Sequence, residues 1–536
     1  MRYEVCVCLL VLLGGCAPSS SGDAAPGEPY LRLADQDDIP TLDPARGYDT
    51  ASWQFEEMLF NTLVDYDGEG QLVPELASEW EVSDEQRTYT FHLRSDVRFT
   101  NGRSVEAGDV RFSIERVLSP QTRSQGAEFF RGIVGADTCG EQQCRVSGIE
   151  TPDAHVLRIR LREFDPLFLH KLAMPFAAAV PAEEVARWGE DFARHPVGSG
   201  PFKLQEWAAG QRLLFVRNPD YFVTGVPRLA GVLRLVGVND DLAWLKYKSG
   251  QLDVANIPPA EFPQVMRDPQ LQPLLRHVTT MRTSYLGMKC TLPPFTDRRV
   301  RQAMNYAVNK EKLLHLINER GVVAKGFVPP NMPGYNPHVE GYPFDPPRAR
   351  ALLAEAGYAS GFATTLWIRS DETTRRLAQS VQQDLAEVGV VVRIKPLAWG
   401  PFLEAVRLPD LVPFFYLGWE ADFPDPSNFL EVLLDSKNVG TNNNTDYSNP
   451  EVDALLAAAA SMIDPAARLQ LLQRAELIAI ADAPWVFLFH PVSYEIVSPR
   501  VRDFTLHPLR PARFERVWLA DAPSAGVAMT DSLTER

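Results

Sequence analysis

The sequence predicts an α/β protein built in more than one lobe. Three observations lead to that expectation. Residues 364–396 read as strand, helix, strand, a βαβ unit and hence a partly parallel sheet. Short segments alternate apolar with polar residues, as at Tyr89, Phe91 and Leu93. A chain of 536 residues also exceeds what one core supports, since cores rarely grow past roughly 250–300 residues.

Taken in order, Tyr30 to Ala34 alternates like a strand, and Thr50 to Asn61 reads as a helix opening on a Thr cap. Phe99-Thr100-Asn101-Gly102 is a turn signal, and Val110, Ile114 and Val117 recur at helical spacing. Strands are expected around Val156, Ile159 and Leu161, at Leu213 to Val216 and at Leu233 to Val236. Asp297 to Ile317 reads as one amphipathic helix capped by Asp297, with Val300, Met304, Ala307, Leu314 and Ile317 on one side. In the βαβ unit the helical stripe is Leu377, Val381, Leu385 and Val388, ending at Gly389. Asn449-Pro450 and Asp464-Pro465 each place a cap before a Pro at the first helical position.

Composition excludes some functions. With 45% hydrophobic and 23% charged residues the chain is ordinary and globular, and a net charge of −16 argues against a nucleic-acid partner. No phosphate loop, dinucleotide fingerprint, His-Glu-x-x-His or Gly-x-Ser-x-Gly elbow occurs. Gly198-Ser199-Gly200-Pro201 reads as a packing turn, and the nine scattered His suggest no metal site. No enzyme activity, cofactor or metal is therefore expected.

The beginning of the chain reads as an export signal. Val5 to Leu13 is unbroken apolar, too short to span a bilayer but suited to a signal peptide over 1–15. Leu13-Gly14-Gly15-Cys16 resembles the lipobox of bacterial lipoproteins, in which the Cys is lipidated. Residues 16–29 then form a flexible spacer, so the protein is expected outside the cytoplasm, anchored to a membrane through Cys16. Cys139 and Cys144 bracket a tight loop and are disulfide candidates in an oxidising compartment, with a two-Cys metal site as the rival. Cys290 is left over as a buried thiol.

A series of segments then carries a resemblance. Ile39-Pro40-Thr41-Leu42-Asp43-Pro44 precedes Val73-Pro74-Glu75-Leu76-Ala77-Ser78-Glu79-Trp80, Tyr89-Thr90-Phe91-His92-Leu93-Arg94 and Phe99-Thr100-Asn101-Gly102. Val197-Gly198-Ser199-Gly200-Pro201-Phe202-Lys203-Leu204 and Arg217-Asn218-Pro219-Asp220-Tyr221 follow. The last are Pro294-Phe295-Thr296-Asp297-Arg298-Arg299-Val300-Arg301-Gln302-Ala303 and Leu352-Leu353-Ala354-Glu355-Ala356-Gly357-Tyr358. In this order, from about Tyr30 to about Trp518, they resemble the extracellular solute-binding proteins (family 5) that serve dipeptide, oligopeptide and nickel ABC importers.

The resemblance implies a two-lobed periplasmic-binding-protein-like fold of type II, with an extra α/β domain on the first lobe and the ligand cleft between lobes. Its expected parts are 30–52, 175–285 and 489–520 for the first lobe, 53–174 for the extra domain, 286–488 for the second lobe and 521–536 for a flexible tail. The implied function is capture of peptides by hinge closure and delivery to ABC permease subunits, by a monomer. Rival readings are a non-peptide solute (a nickel chelate, opine or sugar) and an exported peptidase.

Trp419-Glu420-Ala421-Asp422-Phe423 is similar to the segment in peptide binders where an Asp pairs with the ligand ammonium, which places that role on Asp422. Trp399 and Trp419 match aromatics flanking the cleft, and Tyr48 is counted with them as ligand-contacting. Tyr416 stands where some oligopeptide binders carry Arg. Arg369, after Leu366-Trp367-Ile368, is the candidate partner for the ligand carboxylate.

Overall fold

The computed structural model describes residues 30–67, 70–140, 144–509 and 513–520. The expectations for the signal peptide, Cys16, the spacer and the tail lie outside the described residues.

Apolar alternation builds the first lobe around a mixed sheet. Strand Tyr30–Asp35 runs parallel to Gly231–Val236, which continues antiparallel into Arg212–Arg217 and Phe202–Ala208. Helix Thr50–Leu59 lies against this sheet, with Phe55 stacked on Phe215 at 5.2 Å. The helix is capped not by Thr50 but by Asp49, whose carboxylate accepts the Ser52 N–H at 2.9 Å and its hydroxyl at 2.7 Å. A carboxylate one residue earlier is placed to accept a free amide of the first turn.

Antiparallel strands Ala77–Ser83, Thr88–Leu93, Val156–Arg160 and Ile149–Asp153 form a separate sheet. Helix Ala107–Leu118 covers it through Val110, Ile114 and Val117, all buried. The Gly198–Pro201 turn packs against the end of helix Thr50–Leu59. A Cβ on Gly200 would lie 2.5 Å from the Leu59 carbonyl carbon, so glycine is needed for the close approach. Cys139 and Cys144 are joined by a disulfide.

The second lobe is a large sheet with a core on each face. Strand Arg282–Met288 pairs antiparallel with Phe414–Glu420, and Phe362–Arg369 and Val390–Leu397 are parallel, joined by helix Glu372–Glu387 as a βαβ unit. Along Phe414–Glu420, Phe415 and Leu417 enter one core while Phe414 enters the other. The segment expected as one helix from Asp297 to Ile317 is two, Arg298–Ala307 and Lys310–Leu316. Asn309 breaks it: its N–H turns to Asp384 at 3.0 Å and its side chain caps the second helix through the Lys312 N–H. Asn competes with the helical ladder in this way.

The lobes are joined by continuous strands. Trp485–Val497 pairs with Arg282–Met288 in the second lobe, then with Leu275–Thr279 and Val254–Asn256 in the first. The divisions expected at 285/286 and 488/489 therefore fall inside strands.

In the first lobe, Asp253 is fully buried and gathers three distant segments. It accepts Arg32 through Nε at 3.0 Å and Nη2 at 2.9 Å, and Arg500 through Nε at 2.6 Å and Nη2 at 2.7 Å. Burial alone would raise its pKa, but the bonds from Arg500 and Arg32 outweigh that and hold the carboxyl below the usual range. A depressed folded-state pKa means that the stabilisation is complete above the unfolded-state aspartate range and is lost on acidification through the folded value. Asp253→Asn, which leaves buried guanidinium groups without their counter-charge, is expected to cost about 3–5 kcal/mol in urea unfolding at pH 7. The gap from wild type should narrow as the pH is lowered.

Candidate functional site

A cavity of about 1010 Å³ lies between the lobes. One wall comes from the first lobe and extra domain, with Tyr48, Trp53, Phe129 and Phe164; the other carries Trp399, Trp419, Asp422 and Phe423. Tyr48 is held by rings, with Phe176 at 5.5 Å, Trp53 at 5.7 Å and Phe129 at 6.3 Å. Phe423, in the loop after strand Phe414–Glu420, is buried in the core that contains Tyr89, Phe91 and Phe176. The lobes are thus in contact, and the Tyr48 hydroxyl crosses between them to donate to Asp422 Oδ1 at 3.2 Å.

Asp422 is the polar centre of this wall. Asn428, in the first turn of helix Ser427–Leu434, donates from Nδ2 to Asp422 Oδ2 at 3.1 Å. Asn428 Oδ1 accepts both the Asp422 N–H at 3.1 Å and Trp419 Nε1–H at 2.9 Å. One amide therefore orients the carboxylate and the indole together. Burial pushes the Asp422 carboxyl above its ordinary value and nearby Glu420 adds to that, while Asn428 and Tyr48 pull the other way. Burial and Asp422 raise the Tyr48 phenol, so it stays protonated and donates. Among the described residues no Lys, Arg or His pairs with Asp422.

Among the described residues, three of the four Lys and Arg side chains lining the cavity are otherwise engaged. Lys171 binds Asp165 at 2.6 Å, Lys437 binds Glu431 at 2.9 Å, and Arg468 grips Asp425 at 2.7 and 2.9 Å. Among the described residues, Arg407 is the lining cation without an ion pair.

Tyr48, Trp399, Trp419 and Asp422 are thus brought together on the cavity. Arg369 is exposed and stands 5.7 Å over the Trp399 ring, beside the wall rather than in it. Tyr416 is not brought to the cavity. Side chains alternate along a strand, and Tyr416 packs with Phe414 on the opposite face from Trp419. Burial pushes its phenol up to about 12. Asn428 and Arg407 were missed: neither stands out by periodicity, although Asp422-Phe423-Pro424-Asp425-Pro426 marks a rigid turn leading to Asn428.

Residues 71–441 match the sequence profile of the bacterial extracellular solute-binding proteins, family 5, middle region. The chain belongs to this family. Family 5 proteins are binding components of transport, not enzymes. This family 5 protein is 31% identical over 476 residues to "Heme-binding protein A" of Haemophilus influenzae, covering 84% of this chain and 85% of the relative. It is 30% identical over 485 residues to the "Dipeptide-binding protein" of Escherichia coli, covering 86% and 88%. Its structure resembles the periplasmic binding protein DppA from Helicobacter pylori in complex with peptide STSA, with a TM-score of 0.76, 27% identity and coverage of 91% and 98%.

A cation can bind Asp422 only when the carboxyl is ionised. Affinity for a ligand bearing an ammonium is expected to fall as the pH is lowered, beginning above the range in which an ordinary aspartate protonates. Calorimetric titration across a pH series, with Asp422→Asn as the reference, checks this.

Proposed function

We propose that this family 5 protein captures short peptides by closing its lobes around them, and passes them to the permease of an ABC importer. The observation that carries the reading is the half-buried Asp422 carboxylate, which faces a cavity flanked by aromatic rings and lacks a partner cation among the described residues. A charge so placed is disfavoured unless an incoming cation completes it, and a peptide's free ammonium is that cation. Arg407 is the lining guanidinium open to the carboxylate end, with Arg369 at the rim. The relative named for dipeptides, together with the structural neighbour holding a peptide, supports the same ligand class. A haem ligand is less well supported. Among the described residues no His, Cys or Met lines the cavity, and the Tyr48 phenol is engaged by Asp422.

In this reading the protein acts as a monomer. Residues 30–52, 175–285 and 489–520 move as the first lobe, carrying 53–174, against 286–488, with bending in the connecting strands. Asp422→Asn is expected to weaken peptide binding by about 2–5 kcal/mol in calorimetry, and N-acetylation of the peptide to do the same to wild type. Full affinity for acetylated peptide would overturn the pairing of Asp422 with the ammonium, and no affinity for any peptide would point to a non-peptide solute.

Lipid attachment at Cys16 is part of the proposal, supported by Leu13-Gly14-Gly15-Cys16 directly after the apolar run. Cys16→Ser should abolish incorporation of labelled palmitate and move the protein from the membrane to the soluble fraction.

A further inference from the structure

A second cavity, of about 250 Å³, opens beside the first, and Glu420 and Leu509 line both. The two are therefore neighbours along the cleft. Their charges differ in balance. The larger cavity sets aromatic rings among acidic and basic side chains of both signs, whereas in the smaller one three carboxylates, Asp35, Glu420 and Glu495, stand with one guanidinium, Arg234, and the His507 ring.

That guanidinium is already committed. Arg234 is ion-paired with Asp35 through Nε, and it stands 4.9 Å over the Phe55 ring. The carboxylates of Glu420 and Glu495 have no hydrogen-bond or ion-pair partner among the described residues. Glu495 is firmly placed, since its strand Trp485–Val497 is paired on both sides, with Asn256 on one and Arg276 on the other. The Arg276 side chain turns away, to the Pro273 and Leu275 carbonyls. Glu495 is half-buried on the cavity wall, and loss of solvent around it pushes its carboxyl up to about 7, with Arg234 relieving this only in part. Such a carboxylate gains from any cation that enters.

The main chain beside it is open as well. Arg32 turns its N–H and C=O to Asp253, away from the neighbouring strand Gly231–Val236. By the two-residue repeat of a strand, the N–H and C=O of Ala34 face the same way, and Ala34 lines the small cavity. This edge can hold an extended ligand by main-chain bonds as it passes from the larger cavity into the smaller. Among the described residues no three His, Cys, Asp or Glu converge closely enough to hold a metal ion, so the carboxylates suit a larger cation.

We propose that the smaller cavity is a subsite for a cationic side chain, a lysine or arginine downstream of the residue whose ammonium meets Asp422. The proposal rests on the peptide reading and adds a charge preference to it. Glu495 and Glu420 supply the negative wall, while the Asp35–Arg234 pair closes the floor and keeps anionic side chains from finding a free guanidinium.

The test is calorimetry with the full-length protein and two pairs of tripeptides, Ala-Xaa-Ala and Ala-Ala-Xaa, with Xaa lysine or its uncharged analogue norleucine. Wild type is expected to favour lysine by about tenfold or more in one of the pairs, the range for a charged hydrogen bond. In Glu495→Gln that ratio should fall to within about threefold of unity, with Glu420→Gln, on an exposed residue, reducing it in the same direction. Equal affinity for lysine and norleucine in wild type would overturn the subsite while leaving the peptide reading intact. An unchanged ratio in both variants would overturn the assignment to these carboxylates. Failure of all four tripeptides to bind wild type would overturn the peptide reading and the subsite with it.

Discussion

The buried carboxylate of Asp253 is the constraint on which the first lobe depends. Arg32 belongs to the first strand, Asp253 to the segment leading into the lobe junction, and Arg500 to the stretch just after the long shared strand. Both guanidinium groups bind in two-pronged geometry, which fixes orientation as well as distance. The Asp253 N–H also donates to the Arg32 carbonyl, and its own carbonyl accepts the Ser498 N–H. Side chain and backbone thus set the edge of the sheet at the point where the strands cross to the second lobe. The open main-chain edge at Ala34 is two residues along from this anchor.

The cleft is organised by a similar economy on the other wall. A single amide, Asn428, ties together the indole of Trp419, the backbone of the loop and the carboxylate of Asp422. Because Asn428 opens a helix anchored by the Arg468–Asp425 pair, the orientation of Asp422 is set by rigid structure rather than by the ligand. Phe423 and the Tyr48 hydroxyl then bridge to the opposite wall. The residue that would meet the ligand's charge is also the one that meets the other lobe, so ligand capture and closure act on the same few atoms.

Much of this was legible from local patterns. The βαβ unit around helix Glu372–Glu387 follows from its apolar stripe, and the helices after Asn449 and Asp464 follow from cap-Pro pairs. Asp422 and the two Trp were reachable through resemblance. What could not be read depends on contacts between distant segments. The break at Asn309 requires Asp384, 75 residues away, to take its N–H. Tyr416 shares a strand with Trp419, and only the packing of two separate cores shows that they face opposite ways. Asn428 is one Asn among several until its three bonds are seen. The smaller cavity draws its carboxylates from residues 35, 420 and 495, which no local pattern joins.

The Arg500 guanidinium also reaches the Tyr30 carbonyl, across a sequence separation of 470 residues. Phe504 and Phe514, from the same end of the chain, fill the core beneath the first sheet. A chain emerging from its N-terminus therefore cannot complete the lobe it begins until nearly all of it has appeared. Contacts of such long range form late, because the intervening loop must close first. For an extracellular protein that delay is useful: the early segments lack their partners, and the chain stays threadable while it is being moved across a membrane.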